Sequence, residues 1–512
     1  MMYNHVLSAA LQGVEGHVVH VEVDISNGFP RFDIVGMPDS AVKESVDRVR
    51  TALKNSGFDF PTERITINLA PAELRKEGAG YDLSIALGIL TCKQNELLEA
   101  CKDMLILGEL SLSGEVKPVN GVLPMVHSAF KSGLTHCMVP NANKKEAGVI
   151  SGMKVIGVDD LKQAVAHLMG MHIIKPTTVD IKALFCRDKT TYHYDFSDVK
   201  GQENVRRALE VSAAGMHNVI MIGPPGAGKT MMAKRLPSIL PGLSFEESID
   251  ITKIYSVSGK IKDGESLIVK RPFRSPHHTI SNAALIGGGA LPKPGEISLA
   301  HQGVLFLDEL PEFQKNVIEV LRQPIEEGEV TISRVNRTVD FPAKFMMVCS
   351  MNPCPCGYYP DVEKCSCTPL QIKRYLSKIS GPLLDRIDLH VEASTIDFEA
   401  LSNHDLSESS ENIMKRVLRS QSIQEERHKH LGIIYNAHLG ASDIDKICNL
   451  DQESKKMVKF AFEKMGLSAR AYHRILKVSR TIADLEASDI IRENHVAEAI
   501  QYRTLDRKYW NR

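Results

Sequence analysis

Alternating apolar and polar positions mark the beginning of the chain. In HVVHVEVDIS, residues 17–26, every second side chain is apolar, which predicts a half-buried β-strand with one apolar face: Val19, Val21, Val23 and Ile25. Residues 64–70 alternate in the same way. Residues 39–57 predict a helix between Asp39 or Ser40 as cap and Gly57 as stop, and YDLSIALGIL predicts a buried helix. Strands and helices are mixed without strict order, so we expect an α+β domain over residues 1–172.

The pattern changes twice further along the chain. Residues 173–197 lack periodicity and are predicted to be a linker. Over residues 198–396, apolar strands alternate with helical stretches, as in a parallel sheet. Residues 397–512 are polar with helical periodicity and predict a small helical bundle. The expected class is therefore a multidomain α/β protein, which agrees with a length of 512 residues, too long for one core.

The composition excludes several classes of protein but does not indicate a specific function. The chain has 43% hydrophobic residues, 24% charged residues and a formal net charge of −1, which excludes a globally basic DNA-coating protein. No apolar run reaches the ~18 residues of a membrane span, and the N-terminus does not resemble a secretion signal. We therefore expect a cytoplasmic protein without a membrane partner, whose ten cysteines are free thiols or metal ligands.

One motif predicts a nucleotide site. The apolar strand NVIMI precedes GPPGAGKT, and a helix follows, which is the context that a phosphate-binding loop requires. Its residues are Gly223, Pro224, Pro225, Gly226, Ala227, Gly228, Lys229 and Thr230. Glycines allow backbone N–H groups to surround phosphates, Lys229 would reach the β- and γ-phosphates, and Thr230 would offer a hydroxyl to Mg²⁺. ATP and Mg²⁺ are the expected cofactors.

Further polar residues at strand ends complete the predicted catalytic set. VLFLDEL ends in Asp308, expected to hold Mg²⁺ through water, and Glu309, expected to polarise the attacking water. Asn352 ends a third apolar strand, where an amide can bond the water or the γ-phosphate. Arg386 and Arg470 could each be ordinary surface salt-bridge partners. With a phosphate loop in the same chain, they suggest positive charge supplied to the γ-phosphate by a neighbour and by a lid.

This ordered set resembles an AAA+ ATPase. The stretches DVKGQENVRRALEVSAAGMHN, RPFRSPHHTISNAALIGGGALPKPGEISLAHQGVLFLDELPEF and SGPLLDRIDLHVE resemble the magnesium-chelatase-like ComM/YifB family over nearly the whole chain. The resemblance implies an AAA+ P-loop α/β core, a C-terminal helical lid and rings, most simply a hexamer. It also implies that Asn352 is sensor 1, Arg386 an arginine finger acting on the neighbouring subunit, and Arg470 sensor 2.

The first domain has a resemblance of its own. RKEGAGYDLSIALGIL and GEVKPVNGVLPMVHSAF resemble the proteolytic domain of Lon and the corresponding domain of RadA. That chemistry needs a serine activated by a lysine. Gly80 and Leu123 occupy those positions, so the resemblance implies a Lon-protease-like fold that is catalytically dead. A plain oligomerisation domain is the alternative.

A cysteine cluster predicts a metal site. CPCGYYPDVEKCSC contains two C-x-C pairs, and four thiolates in so short a loop can close a tetrahedral Zn²⁺ site. The ligands would be Cys354, Cys356, Cys365 and Cys367. The alternative is four reduced, uncoordinated thiols. A closed site of this kind would be structural.

Two basic segments are candidates for contact with DNA. KRPFRSPHH contributes Lys270, Arg271, Arg274, His277 and His278, and GEVTISRVNRTVDFPAKF predicts a hairpin with Arg334 and Arg337 beside its turn. In AAA+ helicases such hairpins line the central pore and grip phosphates without recognising bases. Ordinary surface charge is the alternative for both segments.

Three functions compete at this point. The family resemblance implies an ATP-driven ring that moves on single-stranded or branched DNA, as a branch-migration helicase in recombination and natural transformation. A magnesium-chelatase-type ATPase subunit and a protein-remodelling unfoldase are the alternatives. The missing serine–lysine pair argues against an unfoldase coupled to proteolysis.

Overall fold

A computed structural model describes residues 2–187, 194–262, 264–289, 292–334, 337–395 and 407–510. The chain forms two compact units. The first comprises Met1–Lys189 and Ser244–Val269, and the second comprises Thr190–Leu243 and Lys270–Arg512.

The first unit contains a seven-stranded mixed sheet of order β3-β4-β2-β1-β5-β8-β9. Its strands are β1 (Met2–Gln12), β2 (Glu15–Ser26), β3 (Arg31–Val35), β4 (Arg64–Ala70), β5 (Met104–Ile106), β8 (His136–Pro140) and β9 (Lys154–Val158); β6 (Glu109–Leu110) and β7 (Val116–Lys117) form a separate antiparallel pair. Strands β1, β2 and β4 pair antiparallel, and the remaining pairs of the sheet are parallel. The predicted apolar face of β2 is confirmed, because Val19, Val21, Val23 and Ile25 are all buried.

Helices cover this sheet. They span Ser40–Lys43, Ser45–Asn55, Asp82–Thr91, Asn95–Cys101, Val122–Lys131, Lys144–Ala147, Leu161–Leu168, Ile181–Arg187 and Phe245–Val257. The predicted helix 39–57 begins as expected, with the Asp39 carboxylate accepting from the Val42 amide at 2.8 Å, but it divides at Glu44. The helix Ile181–Arg187 lies within the predicted linker 173–197, so part of that segment is ordered.

One segment belongs to a different unit than its sequence position suggests. Residues 244–269 fall within the predicted core 198–396 but are part of the first compact unit. The reason is apolar burial: Ile249 and Leu267 pack in a cluster with Leu123 and Val126. A pattern of local periodicity does not reveal which distant residues a helix packs against.

The second unit is built on a five-stranded parallel sheet of order β11-β14-β17-β10-β18. Its strands are β10 (Val219–Ile222), β11 (Phe273–Arg274), β14 (Val304–Leu307), β17 (Met346–Met351) and β18 (Leu389–Glu392). Outside the sheet, β12 (Gly287–Gly288) pairs with β13 (Lys293–Pro294), and β15 (Glu329–Arg334) pairs with β16 (Arg337–Pro342), both antiparallel. The central strands are apolar and buried, as expected for a parallel sheet with both faces covered.

Helices of the second unit flank the sheet and form the C-terminal region. Those near the sheet are Glu203–Gly215, Lys229–Arg235, Asn282–Ile286, Glu296–Leu299, Lys315–Glu319, Arg322–Glu327, Pro369–Leu376 and Gly381–Leu384. The C-terminal helices are Ser410–His428, Ala441–Ile447, Gln452–Met465, Ala469–Leu485, Glu493–Gln501 and Thr504–Trp510, which confirms a helical C-terminal region. Among the helices described, none has both the length and the apolar character needed to cross a bilayer.

Candidate nucleotide site

The predicted phosphate loop connects strand β10, which lies between β17 and β18, to the helix Lys229–Arg235. Gly226 and Gly228 have φ of +80° and +78°, a conformation that strains any residue with a Cβ. At Gly223, a Cβ would lie 2.2 Å from the Ala393 carbonyl oxygen, so only glycine allows the loop to leave the sheet here. These positions explain why the motif needs glycine, and the loop they shape suits a phosphate group.

Lys229 is buried within its own loop. Its ammonium donates to the carbonyl oxygens of Gly223 at 2.7 Å and Pro224 at 2.9 Å, and to Asn352 Oδ1 at 3.0 Å. Burial lowers the pKa of Lys229, while the carboxylates of Asp308 and Glu309 oppose the shift. The contact with Asn352 brings together the lysine and the amide that the sequence predicted for one site.

Oxygen ligands suited to Mg²⁺ meet beside the loop. Thr230 Oγ1 donates to Asp308 Oδ2 at 2.7 Å, at the carboxyl end of β14. The hydroxyl of Ser350, buried on β17, donates to the other carboxylate oxygen of Asp308. Hydroxyl and carboxylate oxygens are what Mg²⁺ takes from a protein when it is held together with nucleotide phosphates. The residues present therefore fit ATP with Mg²⁺.

Glu309 lies two residues beyond the end of the buried strand β14, and its side chain is exposed. Its backbone has φ +54°, unusual for a residue with a side chain, and its N–H donates to Ser350 Oγ at 3.3 Å. The carboxylate is 56% exposed and lies 3.8 Å from Nδ1 of His278. Such backbone conformations cluster at functional sites because surrounding contacts must hold them. An exposed carboxylate held next to the Mg²⁺ ligands suits a base that activates water.

Arg386 lies at the opposite edge of the sheet from the phosphate loop. It precedes β18, and its carbonyl oxygen accepts from Asn218, the residue just before β10. The loop follows the carboxyl end of β10, so the four paired residues of that strand separate them by about 13 Å. The chain therefore does not bring Arg386 to its own phosphate loop.

Arg470 lies beside Arg386. Both contact the Glu326 carboxylate, Arg386 Nη2 at 2.6 Å and Arg470 Nη2 at 3.6 Å. Burial opposes the ionised form of Glu326, yet the hydrogen bond from Arg386 keeps its pKa below the usual value. The Arg386 side chain is 5% exposed, whereas Arg470 is 60% exposed. Two cations thus meet at one edge of the sheet with a single carboxylate between them.

A buried ion pair fixes the helix that carries Arg470. Arg474, one turn further along, pairs with Asp388, which also accepts from the Asn218 amide at 2.9 Å and lies 3.6 Å from His217 Nδ1. Burial alone would raise the pKa of Asp388, but Arg474 and His217 outweigh it and hold the pKa far below the usual range. Sequence reasoning missed both Asp388 and Ser350.

The basic residues predicted to contact DNA differ in their surroundings. Arg271 is buried and donates to the carbonyl oxygens of Pro241 and Gln302, both at 2.7 Å, so the structure does not support a DNA contact by this residue. Arg274 forms two hydrogen bonds with Glu296, at 2.6 and 2.8 Å, which offset its charge. Lys270, His277 and His278 lie nearer the surface, and the rings of His277 and His278 are tilted against each other with their centroids 4.1 Å apart.

The predicted basic hairpin is confirmed in its backbone. Strands β15 and β16 pair in register from Glu329 opposite Pro342 to Arg334 opposite Arg337. Residues 335 and 336, at the predicted turn, lie outside the described residues, as do the side chains of Arg334 and Arg337. Pairing places both arginines at the same end of the hairpin.

The four predicted metal-binding cysteines lie close together. Their sulfur atoms all lie within 4.8 Å of one another, and the shorter separations are 3.3 Å for Cys354–Cys356, 3.5 Å for Cys356–Cys365 and 3.8 Å for Cys354–Cys365. These distances far exceed a disulfide bond of about 2.05 Å. A zinc ion with Zn–S bonds of about 2.3 Å requires sulfur separations near 3.8 Å, so the cluster is compatible with zinc.

Family models match three parts of the chain. Residues 195–401 match magnesium chelatase, subunit ChlI; residues 21–143 match the model "Subunit ChlI of Mg-chelatase"; and residues 407–503 match its C-terminal region. The first and third matches cover the sheet with the phosphate loop and the C-terminal helices. Both regions fit a magnesium-chelatase-like AAA+ fold, a family that implies ATPase activity with ATP and Mg²⁺.

Similar proteins cover nearly the whole length. The competence protein ComM of Haemophilus influenzae is 42% identical over 98% of this chain and 97% of its own. The uncharacterised protein YifB of Escherichia coli is 42% identical over 99% of this chain and 98% of its own. The magnesium-chelatase 38 kDa subunit of Cereibacter sphaeroides is 24% identical over 31% of this chain and 53% of its own. The chain therefore belongs to the ComM/YifB family of magnesium-chelatase-like AAA+ proteins.

Proposed function

We propose that this protein is an ATP-hydrolysing ring motor that moves along DNA and displaces branch points. The observation that carries the proposal is the division of the catalytic set between two edges of one sheet. Lys229, Asp308 and Glu309 gather at the carboxyl ends of the strands, whereas Arg386 and Arg470 gather near the amino ends. A site split in this way is completed only when the arginine edge of one subunit meets the phosphate loop of the next.

This division favours a closed ring. In a closed ring, the same head-to-tail interface repeats around the axis, so each phosphate loop meets one arginine pair and none is left without a partner. The family resemblance suggests six subunits. Within each site, Glu309 would take a proton from the attacking water, while Asn352 and Lys229 orient the phosphate groups. Arg386 of the neighbouring subunit would then stabilise the charge that develops on the γ-phosphate.

DNA is the proposed cargo for two reasons. The paired arginines Arg334 and Arg337 occupy one end of the β15–β16 hairpin, where they would bind phosphates irrespective of base sequence. The full-length relative from Haemophilus influenzae is a competence protein, which suggests recombination of incoming DNA. Single-stranded or branched DNA would then be the partner, with Lys270 as a further contact.

The remaining domains are assigned auxiliary roles. We propose that the first domain is a Lon-protease-like platform without peptidase activity, since Gly80 and the buried Leu123 lack the groups for it. We also propose that Cys354, Cys356, Cys365 and Cys367 hold a structural zinc ion. Peptide cleavage by the purified protein would contradict the first assignment.

The proposal is tested by measuring ATP hydrolysis with and without DNA. We expect single-stranded or four-way-junction DNA to stimulate ATP hydrolysis. When ATP is present, we also expect the protein to dissociate the junction into its arms. Arg334→Ala with Arg337→Ala should weaken DNA binding and keep basal hydrolysis, while Lys229→Ala should remove both hydrolysis and junction movement. If no form of DNA changes the rate of ATP hydrolysis and the junctions remain intact, the DNA assignment is refuted.

A magnesium-chelatase-type ATPase subunit is the second candidate. The 24% identity to the 38 kDa chelatase subunit supports it, although this similarity covers 31% of the chain. Stimulation of hydrolysis by the other chelatase subunits, in the absence of DNA, would favour this function over a DNA motor.

A further inference from the structure

The four-cysteine loop lies directly against the phosphate loop. We call residues 354–367 the knuckle; it starts two residues after Asn352, and Cys354 is fully buried. Gly357 of the knuckle has φ +90°, and a Cβ at this position would lie 2.5 Å from Cδ of Pro225. Pro225 is an exposed residue in the middle of the phosphate loop. The knuckle therefore touches the part of the chain that would surround the nucleotide phosphates.

The knuckle also reaches the other side of the site through its flanking residues. Asn352, just before it, accepts a hydrogen bond from Lys229 Nζ at 3.0 Å. Tyr375, on the helix that follows, bonds to the backbone of Asn352, and burial raises the pKa of its hydroxyl. The knuckle and its flanking residue Asn352 thus contact the phosphate loop at two points, Pro225 and Lys229.

The internal contacts of the knuckle are of the kind that a metal organises. The backbone N–H groups of Gly357 and Tyr359 point at Cys354 Sγ, at 3.2 and 3.4 Å, as they do towards metal-bound thiolates. Regular helix and strand are absent from residues 354–367, all of which are described, and Val362 is 91% exposed. In a segment with so little apolar burial, a metal ion held by the four thiolates would supply much of the order.

We propose that zinc bound by the knuckle sets the shape of the phosphate loop and so controls the affinity for ATP. With zinc, the fixed backbone of Gly357 supports Pro225, and Asn352 stays in contact with Lys229. Without zinc, the thiols separate, the support is lost and the nucleotide binds weakly. The inference rests on the proposed ATP site, and it makes metal availability a regulator of that site.

The first test compares zinc content and nucleotide affinity in the full-length protein. Wild-type protein purified without chelators should contain one zinc ion per chain by elemental analysis, and its affinity for a fluorescent ATP analogue should be measured in parallel. Chelation, or Cys365→Ser with Cys367→Ser, should weaken nucleotide binding at least about tenfold, and added zinc should restore the chelated wild type. Cys186→Ser, an exposed cysteine outside the knuckle, serves as the control.

The second test separates the contact from the metal. Gly357→Ala should keep its zinc but weaken nucleotide binding, because the new methyl group displaces Pro225. Gly432→Ala is the matched control, since Gly432 also has a positive φ, +66°, but a Cβ there would have open space around it. This variant should bind nucleotide like the wild type.

The outcomes are distinct. A wild-type protein without zinc overturns the inference, and so does nucleotide binding that is unchanged in Gly357→Ala or after zinc removal. If zinc and nucleotide are coupled as described but DNA has no effect on hydrolysis, the regulation stands and the proposed DNA function fails. If the wild type does not bind ATP, both fail.

Discussion

Mixing two inactive variants should restore ATP hydrolysis. Arg386→Ala removes the arginine that we propose acts on the neighbouring subunit, and Glu309→Gln removes the proposed base of its own site. Each variant alone has every site damaged, so each should lose most of its activity, with the arginine worth roughly 10³–10⁵-fold. Because Arg386 lies about 13 Å of strand away from its own phosphate loop, the two defects belong to different interfaces.

The size of the recovery follows from the interface geometry. In the proposed ring, an intact site needs Glu309 from one subunit and Arg386 from the next. In a random equal mixture, an Arg386→Ala subunit supplies the phosphate loop with probability one half, and a Glu309→Gln subunit supplies the arginine with the same probability. About a quarter of the interfaces are then complete, so hydrolysis should reach about a quarter of the wild-type rate if sites act independently.

The assay is steady-state phosphate release after the two variants are mixed and allowed to exchange subunits. Differently tagged chains recovered together would verify that mixed assemblies form. Lys229→Ala mixed with Glu309→Gln is the matched control, because both lesions lie on the phosphate-loop side and no interface is complete. Mixed assemblies no more active than the control would refute a site shared between subunits.

Three further predictions concern single residues. Lys229→Ala should weaken nucleotide binding and abolish hydrolysis, measured by fluorescent-nucleotide titration and phosphate release. Ser350→Ala should lower the hydrolysis rate about tenfold with little change in nucleotide affinity, since the lost hydroxyl orients Asp308 rather than the phosphates. Asp388→Asn should reduce the free energy of unfolding by about 3–5 kcal/mol at pH 7, because it leaves Arg474 unpaired. The folded-state pKa of Asp388 is depressed, so its stabilisation is present above the unfolded pKa of about 4 and declines at lower pH. Urea unfolding across that range should show the two proteins converging on acidification.

The contacts beside the phosphate loop could be anticipated from sequence because their determinants are local. A strand, a glycine-rich loop and a helix follow one another, and parallel strands bring their carboxyl ends to one edge, which places Asp308 and Asn352 beside Lys229. The contact of Ser350 with Asp308 is not predicted from sequence, because a single serine in an apolar strand does not indicate a functional role. Its register gives the only signal: Leu307 pairs with Cys349, so Asp308 and Ser350 are the next residues on neighbouring strands.

Other features depend on distant partners and are hidden from local pattern. Arg271 lies in a basic run typical of an exposed surface, yet carbonyl oxygens from Pro241 and Gln302 surround it. From sequence, Asp388 has the features of an exposed surface residue. In the structure it is buried and forms an ion pair with Arg474, which lies on a helix much later in the chain. Periodicity predicts which face of an element is apolar, and it does not identify the element that covers that face.

The path of residues 244–269 limits how this protein can be divided. The backbone passes from one unit to the other at 189/190, at 243/244 and again at 269/270. A fragment that starts at residue 190 would contain Ile249 and Leu267 without the apolar residues that bury them. Exposed apolar surface of this kind promotes aggregation. A cut at a single point in the chain would therefore separate residues that pack together, so both units have to be produced within one polypeptide.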